Sequence, residues 1–184
     1  MTALAQKPMT AEEFAVWAGA RPEKHWELFD GVAQMQQMQT WGHQEAVMAL
    51  YRLFYAAIRE ANLPLFVGTQ GVAVKTGAHM AFEPDVVVFS GRMAKAEMIV
   101  PEPVIVAEVL SPSTARKDLT VKLAGYFDVP SIEHYLIADW EEREIIHYRR
   151  EGVALAKPVI LREGRLMLKP PGLTLDVSKV FQES

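Results

Sequence analysis

The chain has 184 residues, a formal net charge of −4 and no cysteine. Half of its residues are hydrophobic and 23% are charged, which suits one globular domain with a substantial core. This excludes disulfides and thiolate zinc sites and disfavours non-specific coating of nucleic acid, which needs Lys and Arg to neutralise phosphates.

A single domain over residues 1–184 is expected, with residues 1–8 flexible. No signal-peptide core opens the chain, and no apolar run approaches the ~20 residues of a bilayer span. A cytoplasmic address follows as an expectation. The five histidines are scattered, and no pair has zinc-ligand spacing on one helix face.

Thr10 predicts an N-cap for a short helix over residues 11–18, with Glu13 at the capping-box position. Residues 26–33 alternate around Asp30-Gly31 and read as a hairpin. Residues 44–61 form the best helix, with Val47, Leu50, Tyr51, Phe54, Ile58 and Ala61 on one face. Short strands are expected at 65–67 and 72–75, then at 85–89 and 104–110. The next helix runs over 113–127, with Leu119, Leu123 and Phe127 on its buried face. Strands follow at 134–139 and 145–149, and the tail from 159 to 181 adds edge strands and a short final helix. This order is mixed α/β. No G-x-G-x-x-G or G-K-[ST] occurs, so a doubly wound nucleotide fold is excluded.

Glu108 is the informative residue. It interrupts an apolar strand, Val104-Ile105-Val106-Ala107-Glu108-Val109-Leu110, where an ionised carboxylate is costly without a compensating partner. Asp85 opens the preceding strand. If the two strands pair antiparallel, the start of the first lies beside the end of the second. A parallel pair would separate the acids, and the 90–103 connection allows either arrangement. Together Asp85 and Glu108 offer hard oxygen ligands for magnesium or manganese, and the carbonyl of Val109 adds a third donor. The competing readings are a turn acid after Pro84 and a structural ion pair at Glu108. Lys122 lies four residues after Asp118, so a surface pair is its default. It also borders the buried helix face, from which its amine can reach a cleft. Ser111, Ser113 and Thr114 read as helix caps. Arg116, Lys117, Arg143, Arg149 and Arg150 read as solvated surface.

Together these stretches resemble the Uma-two family of the PD-(D/E)XK nuclease superfamily. The resemblance runs from about Met9 to Phe181. It rests on Trp26-Glu27-Leu28-Phe29-Asp30-Gly31, His43-Gln44, Pro84-Asp85-Val86-Val87-Val88, Glu108-Val109-Leu110-Ser111-Pro112-Ser113-Thr114, Asp118 with Lys122, and Tyr135 through Asp139. Leu110 occupies the superfamily's usual lysine position, and Lys122 on the helix takes that role. Leu136 stands where many relatives have Trp. The resemblance implies a restriction-endonuclease-like mixed central sheet flanked by helices, with an N-terminal hairpin and extra C-terminal strands. It implies Asp85 and Glu108 as ligands of Mg2+ or Mn2+, with Glu27 as a further acid and His43 as a peripheral member. The implied activity is magnesium-dependent hydrolysis of DNA phosphodiester bonds, with DNA as partner, a homodimer allowed and no membrane. Two rivals stand beside it: a non-catalytic nucleic-acid- or protein-binding module retaining the fold, and a hydrolase of small phosphoesters.

Overall fold

A computed structural model describes residues 7–110 and 116–182, and their side chains except those of 116–119. The expected caps at Ser111, Ser113 and Thr114, the side chains of Asp118 and Leu119, and most of the expected flexible start lie outside the described residues.

Helix α1 (Ala11–Gly19) begins at the capping box read from Thr10 and Glu13. Strands β1 (Trp26–Phe29) and β2 (Val32–Met35) form the expected hairpin. Asp30 and Gly31 both take positive φ, 47° and 77°, as a tight two-residue turn requires. Helix α2 (Trp41–Ala61) starts three residues before the expected residue 44, capped by Thr40. Its buried stripe is His43, Ala46, Val47, Leu50, Phe54, Ala57 and Ile58. Tyr51 is only half-buried and Ala61 is exposed, because the stripe drifts around a straight helix of this length.

Strands β3 (Leu65–Thr69), β4 (Val74–Gly77), β5 (Met80–Phe82), β6 (Val86–Ser90) and β7 (Glu102–Val109) follow. Helix α3 (Arg116–Asp128) leads to β8 (His134–Asp139), β9 (Glu144–Glu151), β10 (Ala154–Leu155), β11 (Val159–Leu161), β12 (Arg165–Leu168) and β13 (Leu173–Asp176). A single 3-10 turn, Val177–Lys179, supplies the expected final helix. The large mixed sheet has the order β10-β9-β8-β7-β6-β3, with β11 also on β9. Only β7 and β8 pair in parallel in this sheet, joined through α3. A smaller antiparallel sheet has the order β2-β1-β5-β4. Strand β5 was not expected, since three residues carry too little alternation to read.

The pleat of the large sheet sorts its side chains between two cores. Val86, Val88, Ile105, Ala107 and Val109 pack with α2 and the β12–β13 hairpin. Val87, Phe89, Val106, Tyr135 and Ile137 pack with Tyr126 of α3 and with Val74 and Phe82 of the small sheet. Leu136, where many relatives have Trp, is core. Among the described residues no helix is long and apolar enough to cross a membrane.

Two side-chain assignments differ from expectation. Arg150 is not simply solvated: its guanidinium donates to the carbonyls of Phe127, Val129 and Ile132 and so closes the C-terminal end of α3. Arg143 donates to the carbonyl of Phe181 at 2.6 Å. Two of the scattered histidines also meet. His134 Nε2 donates to the Pro170 carbonyl at 2.6 Å, which leaves its Nδ1 to accept from His147 Nε2 at 2.9 Å. Burial and the neighbouring His134 push His147 down to about 4, so this link between sheet and hairpin is neutral around pH 7.

Candidate active site

Strands β6 and β7 pair antiparallel, with Val86 opposite Ala107. Continuing that register by one residue sets Asp85 across from Glu108. The two acids share the parity of Val87 and Val106, so they stand on the α3 face. Both are buried, 6% and 7% exposed. The two acids therefore stand at adjoining strand ends and on one face.

Asp85 is held from three directions. Its Oδ2 accepts from the Val109 amide at 2.8 Å and from His43 Nε2 at 3.1 Å, and its Oδ1 accepts from Gln70 at 3.3 Å. His43 is buried, and its Nδ1 has no hydrogen-bond partner among the described residues. Its position in the first turn of α2, after the Thr40 cap, points it at the start of β6.

Lys122 is 8% exposed and turns inward. Its Nζ lies 3.0 Å from Glu108 Oε1 and 2.8 Å from Glu27 Oε1. The surface-pair alternative for its amine is thereby set aside. Glu27 is 2% exposed, not at an open strand position. It accepts from the Glu83 amide at 3.0 Å and from Gln36 Nε2 at 2.6 Å. The small sheet therefore delivers one acid, the large sheet two, and α3 the cation between them. Sequence reasoning missed Tyr126, whose hydroxyl donates to Glu108 Oε1 at 2.7 Å. The signal was available: Tyr126 is four residues after Lys122 and shares its helix face. The buried stripe of α3 runs through Lys122, Gly125 and Tyr126, while Leu123 and Phe127 are only half-buried.

Burial dominates the electrostatics. It raises the Glu108 carboxyl to about 8 against the pull of Lys122, and repulsion from Asp85 and Glu27 adds to the rise. Burial raises Glu27 as well, again opposed by Lys122. Burial alone would lower Lys122, but Glu108 and Glu27 outweigh it and hold the ammonium above its ordinary value. One ammonium thus faces three buried carboxyls, which carry spare negative charge once Glu108 gives up its proton.

That surplus suits a hard dication, and carboxylate oxygens are the right donors for magnesium or manganese. Lys122 and Tyr126 both address Oε1 of Glu108, so Oε2 is engaged by neither. Among the described residues no three His, Cys, Asp or Glu side chains cluster tightly enough to hold an ion by themselves. The fit is therefore to an ion that takes two carboxylates from the protein and completes its shell elsewhere, as magnesium usually does. Asp85, Glu108, Val109, Lys122 and Glu27 all line one cavity of about 410 Å³. Its outer wall is the neutral stretch from Gln34 to Gln39.

Replacing Tyr126 with Phe removes one donor to a buried carboxyl. We expect stability to fall by about 1–3 kcal/mol. Glu108 should also titrate higher, which pH-dependent urea melts of the variant against wild type would show.

The comparisons agree with this architecture. A crystal structure of a putative nuclease belonging to DUF820 from Anabaena variabilis superimposes with a TM-score of 0.72 over 95% of this chain and 98% of that one. Its sequence identity is 17%, so the likeness is one of fold. An uncharacterized protein of Synechocystis sp. is 28% identical over 113 residues, 60% of this chain and 63% of that protein. The chain thus matches somewhat under two thirds of this relative's length. The profile of the Uma2 family, described as "Putative restriction endonuclease", matches residues 11–178. The chain belongs to the Uma2 family.

Proposed function

We propose that the chain works as a single-domain, metal-dependent endonuclease on DNA. The observation that carries this reading is the position of Lys122, whose buried ammonium bridges Glu27 and Glu108 in the cavity that Asp85 also lines. The family's description as a putative restriction endonuclease and the fold shared with a putative nuclease support it.

In this reading Asp85 and Glu108 would hold magnesium or manganese, with the Val109 carbonyl as a further donor. Such an ion would supply Lewis-acid chemistry, polarising a phosphate and lowering the pKa of an attacking water. The chain's own groups do the rest. Lys122 orients that water or offsets charge developing on the phosphate in the transition state. Glu27 holds the Lys122 amine in place from the small sheet. Tyr126 fixes Glu108 through one oxygen. The Val109 amide and His43 fix Asp85 through one oxygen.

A second reading, a binding module that keeps the fold without catalysis, draws on one observation: the described residues contain no three-acid cluster tight enough for an ion. One assay separates the two. Plasmid and single-stranded DNA are incubated with magnesium or manganese, with Glu108→Gln as control. Endonuclease activity predicts metal-dependent nicking by wild type alone. Intact DNA at millimolar metal, with retained DNA binding, would favour the binding module.

A further inference from the structure

The outward side of α2 carries an apolar line of its own. Trp41, Met48 and Tyr55 recur every seven residues and are 77%, 44% and 52% exposed. Glu45, Arg52 and Arg59 each follow one of them by four residues. On an ideal helix these side chains all fall within an arc of about 80°. That arc stands opposite the buried stripe through Ala46, Leu50, Phe54 and Ala57. Single exposed apolar residues are ordinary on a soluble protein. A large one at every second turn of a single line is a different pattern, because a solvated helix face is normally polar. A seven-residue apolar repeat is the spacing with which one helix lies along another.

The line is also prepared for contact. Tyr55 stacks on Tyr51, with ring centroids 6.1 Å apart and planes 18° from parallel, so its ring is already held. Behind Trp41 the helix is seated on Trp140: a Cβ at Gly42 would lie 3.3 Å from the Trp140 indole nitrogen. Among the described residues no ion pair claims Glu45, Arg52 or Arg59.

We infer that this face of α2 docks on the same face of a second copy of the chain, the two helices antiparallel about a two-fold axis at Met48. The line is complementary to itself in that orientation. Met48 meets the partner's Met48. Trp41 meets the partner's Tyr55, because positions 41 and 55 lie equally far from 48. Glu45 comes level with position 51 of the partner, about one 1.5 Å step from the partner's Arg52. Each copy's carboxylate thus meets the other's guanidinium, twice across the axis. A parallel pair would instead set Glu45 on Glu45 and Arg52 on Arg52. Antiparallel helices also bring the positive end of each macrodipole beside the negative end of the other. A nucleic-acid strand would use the rings and arginines but would meet repulsion at Glu45, which a second copy pairs. A single helix seam belongs with interfaces under about 1,200 Å², so the association is weak and depends on concentration. This dimer is independent of the nuclease reading.

Sedimentation equilibrium of the full chain, from low to high micromolar concentration, should show a reversible monomer–dimer equilibrium. Met48→Glu sets two carboxylates on the axis and should weaken the dimer at least about ten-fold. Its melting curve at low concentration should match that of wild type, since the position is exposed. Glu45→Arg and Arg52→Glu, each by itself, place like charges together twice and should each weaken the dimer about ten-fold. Mixed together, the two single variants should form a heterodimer within about three-fold of wild-type affinity, because both charge contacts are then opposite in sign. That recovery acts only between copies, and a dimer through another face would not produce it. Wild type that stays monomeric at the highest concentration overturns the interface. So does a dimer untouched by Met48→Glu, or a mixture that shows no recovery. Single-stranded DNA is titrated beside it. DNA binding that Arg52→Glu abolishes in a protein that never dimerises would assign the face to nucleic acid and overturn the dimer. Whether DNA is cut has no bearing on these outcomes.

Discussion

Glu108→Gln is expected to cut DNA cleavage on the order of 10³-fold while leaving the protein folded. The amide keeps an oxygen for Lys122 and Tyr126, which lie 3.0 and 2.7 Å from Oε1. It loses the charge a hard dication requires. Stability should change with the opposite sign in metal-free protein. The Glu108 carboxyl is raised from 4.5 to about 8, so the folded state holds a proton that the unfolded chain releases. Its contribution is complete below pH 4.5 and is lost as pH rises through 8. Wild type in chelator should therefore weaken between pH 5 and 9 by a few kcal/mol. The Gln variant should lack most of that slope and match or exceed wild type at pH 9. Added manganese should reverse the order: wild type gains stability, increasingly so toward pH 8 because the metal competes with the proton, and the variant gains little. Parallel slopes in chelator, together with no metal-induced shift in wild type, would remove Glu108 from the metal-ligand role.

Lys122→Met should be the most destabilising single change in the site, by about 3–5 kcal/mol. Methionine fills similar space, but two buried carboxyls lose the ammonium now 2.8 and 3.0 Å away. Adding Glu27→Gln should restore a substantial part of the loss, since it removes one orphaned acid. Urea denaturation of the single and double variants measures this coupling directly. A loss below about 1 kcal/mol would mean that the ammonium does not hold the carboxyls together. At temperatures where the single variant stays folded, turnover should fall more than metal affinity, because Lys122 is not a ligand.

How much of this was legible beforehand depended on whether a contact is fixed by local periodicity. Asp85 and Glu108 could be placed because strand parity and antiparallel pairing fix both face and proximity. Glu27 could not be read as buried from its own segment. Its burial depends on the Glu83 amide, 56 residues away, and on the overlooked strand β5. Tyr126 was hidden by a leucine and phenylalanine pattern that suggested a different face of α3. His134 and His147 become neighbours only once β8 and β9 take their register, with Leu136 opposite His147.

Gly125 sets a clearance for all of this. A Cβ there would come 2.7 Å from the ring of Phe82 and 3.3 Å from the Thr76 hydroxyl. Helix α3 can therefore seat on the small sheet only because this one position carries hydrogen. Lys122 and Tyr126 flank it on the same helix, and both reach only as far as that seating allows. A methyl group at 125 would work as a shim: it would lift the helix off the sheet and draw an ammonium and a hydroxyl back from Glu108 without touching any group that does chemistry. The tolerance of the site is thus machined at a residue with no side chain, on the same buried stripe as the ammonium and hydroxyl it positions.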